Sequence, residues 1–196
     1  MSTTQPIKDR AALNTFKNYY LHQKPNIRNH ALIILGLNTA LRISDILQLR
    51  WSDLFNDSTQ QMQEHLEVKE KKTGKINIIA VNQTAKQVLL EYKEQVFQKN
   101  PYNRDSYLFL SRKGKNKPLS RSQAFRIIKE AAFAAGLFSH VSCHSMRKTF
   151  GYHAWKQGTP PALLMDIYNH SSYKITKRYL CIEQDERDEV YRNILL

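Results

Sequence analysis

The sequence predicts an α+β fold: a mainly helical domain carrying one small antiparallel sheet. Apolar residues recur at helical spacing through most of the chain, as in "RNHALIILGL" and "NQTAKQVLLEYKEQVFQK". Clear alternation of period two is found in "HLEVKEKKTGKINIIAV", on either side of a glycine. The two kinds of signal are segregated along the chain, which is the order of an α+β domain and not of a parallel βαβ array.

Taken in order, residues 28–37 read as a buried helix, and "RISDILQLRW" then sets Ile43, Ile46, Leu47 and Trp51 at helical spacing, so that Arg42 lies between two packed helices. Leu66 and Val68 before "KTGK", with Ile76, Ile78 and Ala80 after it, make a hairpin with Gly74 in the turn and Lys72 at or near the tip. A helix follows in "NQTAKQVLLEYKEQVFQK", then a short extended piece, "DSYLFLS", and a basic loop broken by Gly and Pro, "KGKNKPLS". Ser120 and Gln123 form a capping box for "RSQAFRIIKEAAFAA", which Gly136 ends. Residues 144–157 are helical, with Gly158 as the stop, and the next helix starts at Thr159 with prolines in its first turn. Ser171 or Ser172 caps "YKITKRYL", which puts Ile175 and Tyr179 on one side. The tail "EQDERDEVYRNILL" is acidic first and apolar last, a polarity that suits a helix dipole.

With 196 residues and 41% hydrophobic content, the chain supports one folded domain. No apolar run approaches the ~20 residues that span a bilayer, and the N-terminus lacks the apolar centre of a signal peptide, so a cytoplasmic, nucleoid-associated protein is expected. Cys143 and Cys181 read as reduced thiols. The formal charge is +13, and it is unevenly spread: residues 183–196 hold five acids and two arginines, leaving 28 bases against 12 acids in residues 1–182. A basic body of this kind favours a polyanion, because each neutralised phosphate releases condensed counterions. The bases cluster in "VKEKKTGK" and "SRKGKNK", and Lys113, Lys115, Lys117 and Arg121 are candidate phosphate contacts, although a solvated loop has the same composition.

Four pieces carry chemistry: Arg42 in "TALRISDILQLRW", Lys72 in "EKKTGK", His144 and Arg147 in "CHSMR", and His170 with Tyr179 in "NHSSYKITKRYL". Each alone is ordinary, since a hairpin lysine or an H-x-x-R on a helix is more often structural than catalytic. In this order and spacing they resemble the catalytic domain of the tyrosine recombinases, the phage integrase family. The resemblance spans about residues 25–182 and implies the DNA breaking-rejoining fold. It makes Arg42, Lys72, His144, Arg147, His170 and Tyr179 catalytic, with Tyr179 the nucleophile, and leaves residues 1–24 as an N-terminal extension and 183–196 as a C-terminal helix. It also implies a short, catalytic-domain-only member similar to the fimbrial-switch invertases, acting on double-stranded DNA as a tetramer on synapsed sites with DNA-bending helper proteins.

The residue chemistry agrees. Breaking a phosphodiester without a metal requires a nucleophile, positive charge on the nonbridging oxygens, and a proton for the departing oxygen. Arg42 and Arg147 provide planar, bidentate forks for the phosphorane. A hairpin lysine is the general acid for the 5′ oxygen, and the resemblance selects Lys72 among its neighbours Lys69, Lys71 and Lys75; His144 is the proton acceptor, and His170 a donor to the phosphate or a support for the ring. Asp45 reads as a residue that holds a core helix or orients an arginine. No cofactor is implied, and "HVSCH" at 140–144 lacks the further ligands a zinc site needs. Two features depart from the family pattern: Asn169 stands where glycine often precedes the second histidine, a position asparagine fills in the left-handed conformation, and Lys148 stands where a histidine often follows the second arginine. Relaxation by a type IB topoisomerase-like enzyme and a non-catalytic DNA-binding regulator of the same fold are the alternative functions.

Overall fold

The computed structural model describes residues 4–56, 58–59, 61–71, 74–98, 101–138 and 140–195. The elements are α1 (Arg10–His22), α2 (Ile27–Asn38), α3 (Ile43–Ile46), a 3₁₀ turn (Trp51–Asp53), β1 (His65–Lys69), β2 (Ile76–Ala80), α4 (Gln83–Phe97), α5 (Arg121–Ala134), α6 (Cys143–Lys156), α7 (Pro161–Tyr168), α8 (Tyr173–Leu180) and α9 (Glu183–Asn193). The class is the expected one, helical with a two-stranded antiparallel sheet.

At the centre lies α2, whose Ala31, Leu32, Ile33, Ile34 and Leu35 are all buried. Around it pack α1, α4 and α6. Residues 1–24, set apart above as an extension, contain α1: Asp9 caps it by accepting from the Ala12 N–H at 2.7 Å, and Phe16 and Tyr20 enter the core. The Tyr20 hydroxyl donates to Glu130 on α5 at 2.7 Å. Just ahead of α1, Ile7 is also buried, only 2% exposed.

Local capping follows the sequence closely. Ser120 and Gln123 exchange the two bonds of a capping box, Ser172 accepts from the Ile175 N–H, and Asn169 ends α7 with φ of 53°. The helix expected after Arg42 is shorter than its apolar spacing promised: α3 closes after one turn, and Trp51 reaches the core from the 3₁₀ turn.

In the hairpin, Leu66 pairs with Ile79 and Val68 with Asn77. Leu66 and Val68 face the core, whereas Ile76 and Ile78 are 59% and 70% exposed. Paired residues share a face, so this register puts the Ile76–Ile78 set outward beside Lys69 and Glu67.

A smaller apolar cluster of Ala40, Tyr152, Leu164, Tyr168, Leu180 and Ile182 joins α6, α7 and α8, with Tyr179 packed against it. Close approach of α7 and α8 to α6 depends on Gly151. A Cβ at that position would stand 2.4 Å from the Tyr168 hydroxyl and 2.6 Å from Leu180 Cδ2. Gly151→Ala is expected to destabilise the fold by about 1–3 kcal/mol, the usual cost of overpacking, read as a lowered thermal midpoint. An unchanged midpoint would show that α7 and α8 stand further from α6.

Candidate active site

The site is built around the turn that ends α2. Thr39 closes that helix by donating to the Leu35 carbonyl at 2.8 Å, Ala40 takes a left-handed φ of 53°, and Arg42 then caps α3 in extended conformation. Arg147, on α6 and 4% exposed, donates through Nη1 to the Ala40 carbonyl. Its guanidinium lies 4.6 Å over the Tyr168 ring, and the Tyr168 hydroxyl returns a 2.7 Å bond to the Arg147 carbonyl. A carbonyl and an aromatic face compensate this buried cation and leave its charge unneutralised.

Arg42 is held from the hairpin. Its Nη1 lies 2.5 Å from Oε2 of Glu70, a carboxylate 1% exposed that also accepts from Asn77 Nδ2 at 3.0 Å. The approach lies off the N–H axis, so this is an ion pair without an aligned hydrogen bond. Asp45 accepts from the Lys71 N–H at 3.3 Å, tying α3 to the turn end of the hairpin.

Tyr179, on α8, is half-buried with its ring 5.4 Å from Tyr168 and 5.2 Å from His170, edge to face with the latter. His170 also stacks on Tyr168 at 5.6 Å, and its Nδ1 is 3.1 Å from Thr176 Oγ1. Thr176 points its own proton to the Ser172 carbonyl at 3.4 Å, so it accepts from Nδ1 and leaves Nε2 unengaged in that bond. His170 is thereby anchored to the helix that carries Tyr179.

One field acts on all three titrating side chains. Burial raises the Tyr179 phenol, and the charges of Arg147 and Arg42 oppose it, with Arg147 also within hydrogen-bonding reach of the hydroxyl. Burial lowers His170, reinforced by Arg147 and Arg42. His144 opens α6 with one edge exposed; burial of its inner face lowers it first, followed by Lys148, Arg147, Arg42 and Arg121. Both imidazoles are therefore neutral near pH 7.

The structure thus brings Arg42, His144, Arg147, His170 and Tyr179 together. Lys72 lies outside the described residues. On either side of it, Lys71 meets Asp45 and Lys75 Nζ donates to Asn169 Oδ1 at 2.5 Å, so the hairpin reaches the turn before His170. Arg121, at the start of α5, acts on His144; Lys113, Lys115 and Lys117 are exposed on the preceding loop. Sequence reasoning missed Glu70, Tyr168 and Thr176. Tyr168 and Thr176 flank His170 and Tyr179 in the chain and were open to suspicion on that ground, whereas Glu70 gave no signal of pairing with Arg42.

Compared with known proteins, the chain falls among DNA recombinases whose nucleophile is a tyrosine. The phage integrase family matches residues 8–186, and the chain belongs to that family. It is 39% identical over 192 residues to the probable integrase/recombinase YoeC of Bacillus subtilis, covering 98% of this chain and 97% of that protein. The type 1 fimbriae regulatory protein FimE of Escherichia coli K12 is 27% identical over 153 residues, with 78% and 73% covered. In fold, the XerH recombinase bound to palindromic difH substrate in a post-cleavage complex matches with a TM-score of 0.75 at 19% identity, over 97% of this chain and 52% of that one. The crystal structure of XerA recombinase matches with a TM-score of 0.73 at 20% identity, over 98% and 66%. The chain therefore spans about half to two thirds of these solved recombinases.

The pKa directions fix a pH dependence of stability. His144 and His170 are depressed, so the stability they contribute is present above their ordinary value of 6.5 and is lost as pH falls through their lowered values. Tyr179 is raised, so its contribution is present below 10.0 and lost as pH rises through its shifted value. Thermal midpoints measured across pH are expected to fall on the acid side of 6.5, with a shallower fall in His170→Asn. Parallel acid limbs in the parent and the variant would contradict this.

Proposed function

We propose that this chain cleaves and rejoins duplex DNA at specific sites with Tyr179 as nucleophile, through a 3′-phosphotyrosine. The observation that carries the reading is the Tyr179 ring packed against Tyr168 and His170, with the charges of Arg147 and Arg42 acting on its phenol. The names of the relatives, integrase and recombinase, support it.

In the forward step the phenol oxygen bonds to phosphorus as the P–O5′ bond breaks. The phenol proton passes to His144, which is neutral and able to accept it, and Lys72 protonates the departing 5′ oxygen. Arg42 and Arg147 take the charge that develops on the nonbridging oxygens. His170 is neutral in the free protein; the phosphate's negative charge favours its protonated form and turns Nε2 into a donor. The tyrosyl ester keeps the energy of the broken bond, so a 5′ hydroxyl from either strand reverses the step without ATP.

Self-association completes the reading. The first turns of α9 are tied within the chain, by Tyr173 to Glu186 at 2.5 Å and Lys177 to Glu186 at 3.1 Å. Beyond them Val190, Tyr191, Ile194 and Leu195 are 57–91% exposed. That apolar end supports docking on a neighbouring protomer in a tetramer on synapsed DNA. A cleft of about 680 Å3 between the end of α2, β2 and α7, lined by Ile76, Ile78 and Arg147 among others, offers a surface for it.

On nicked duplexes carrying candidate inverted repeats, Tyr179→Phe is expected to abolish the covalent adduct on denaturing gels while leaving gel-shift affinity intact. Arg147→Lys is expected to slow adduct formation by about 10²–10³-fold, the typical loss on removing one transition-state donor. An adduct that survives Tyr179→Phe would overturn the assignment. Deleting residues 186–196 is expected to remove tetramers seen by native mass spectrometry on paired sites, and undiminished tetramers would defeat the docking.

A further inference from the structure

The sequence left one departure unexplained, Lys148 in place of a histidine, and the structure gives it partners. Lys148 is 2% exposed. Its Nζ donates to the Thr4 carbonyl at 2.6 Å, approaches Cys181 Sγ at 3.8 Å, and stands 5.0 Å from the centre of the Tyr179 ring. These partners are a carbonyl, a thiol and a ring face, weak compensation for a buried ammonium, and burial lowers its pKa accordingly. A leucine or methionine would fill the same space without that cost, so packing does not account for the residue.

The second observation is the path of the chain ahead of α1. The Gln5 N–H donates to the His140 carbonyl at 2.8 Å, and the Ile7 N–H donates to Thr149 Oγ1 at 2.8 Å. His153 Nε2 lies 3.0 Å from the Ile7 carbonyl. Residues 5–7 are thus laid along α6 and the turn before it by three polar contacts and two buried residues, Pro6 and Ile7. Lys8 then leaves α6 for the end of α8: its Nζ donates to the Cys181 carbonyl at 2.9 Å and pairs with Asp185 at 2.5 Å.

Both lysines therefore converge on one residue. Cys181 is the left-handed C-cap of α8, with φ of 59°, two residues beyond Tyr179. Lys148 meets its sulfur and Lys8 its carbonyl, and each is a cation at the negative end of a two-turn helix, where carbonyls lack intrahelical donors. An eight-residue helix is too short to hold its own position. Something outside it must fix where its last turn stands, and that turn carries the phenol.

We propose that residues 4–8 form a strap that sets the position of the nucleophile helix, with Lys148 and Lys8 as positioning residues that lock its last turn through Cys181. This deepens the reading of Tyr179 as nucleophile and rests on it. Neither lysine need touch the DNA. Both act through the peptide that follows Tyr179, so that movement of the strap is transmitted to the distance between the phenol and Arg147.

The test compares the full chain with Lys8→Met and Lys148→Met, and with Lys148→Arg as the conservative rescue. Hydrogen–deuterium exchange reads the helix directly: amides of residues 177–182 are expected to exchange faster by about ten-fold or more in both methionine variants, the factor that loss of one charge-assisted hydrogen bond carries, while α4 amides are unmoved. On the nicked duplex cleaved by the parent, single-turnover adduct formation is expected to slow by about ten-fold or more with gel-shift affinity unchanged, and Lys148→Arg is expected to restore part of the rate. Unchanged exchange in α8, or faster exchange with an unchanged adduct rate, overturns the strap. Faster exchange throughout the protein overturns it as well, since that is a fold merely weakened. Failure of the nucleophile reading shows itself separately, as an adduct that persists in Tyr179→Phe.

Discussion

The site depends on a single buried guanidinium. Arg147 donates to the Ala40 carbonyl, lies on the Tyr168 ring and accepts the Tyr168 hydroxyl at its own carbonyl, so three elements are indexed to one side chain. The end of α2, the middle of α6 and the end of α7 cannot shift independently while those bonds hold. Burying an arginine that, among the described residues, no carboxylate pairs with is costly, and the cost is tolerable only where carbonyl and aromatic partners are pre-aimed. Tyr168 supplies the aromatic partner, and it fits only because α6 carries a glycine at position 151.

That constraint explains how the remaining groups are tuned. The charges of Arg147 and Arg42 reach two imidazoles and a phenol, and their field moves the three in useful directions. The histidines are discouraged from carrying a proton, and the phenol, which burial makes a poor acid, is partly relieved. Glu70 moderates this field from the hairpin side by pairing with Arg42. The two arginines are therefore unequal: Arg42 is paired with a carboxylate, and among the described residues Arg147 is not.

Much of this was legible because it is local or chemically specific. The caps at Ser120, Ser172 and Asn169 are decided within a few residues, and their side chains announce them. The five gathered site residues were legible because the phosphoryl chemistry proposed for them admits few side-chain types. What stayed hidden depends on distant partners. Phe16 and Tyr20 are four apart, yet polar neighbours dilute the pattern of α1, and Tyr20 meets Glu130 across 110 residues. Ile76 and Ile78 compete with Ile79 and Val81 for the inner face of the hairpin, and only the register chooses between them. Lys148 meets Thr4 across 144 residues, and nothing in "MRKTFG" points there.

The left-handed alanine that begins the site has one more consequence. Alanine has no intrinsic reason to adopt φ of 53°, and the conformation costs about 1–2 kcal/mol. Arg147 holds it by taking its carbonyl, and the same turn delivers Arg42 two residues later. The arginines are thus not two separate anchors but one cooperative unit: losing Arg147 frees the turn to relax and carries Arg42 with it. The energetic effects of altering them will overlap instead of summing, and neither can be credited with a private share of the turn's stability.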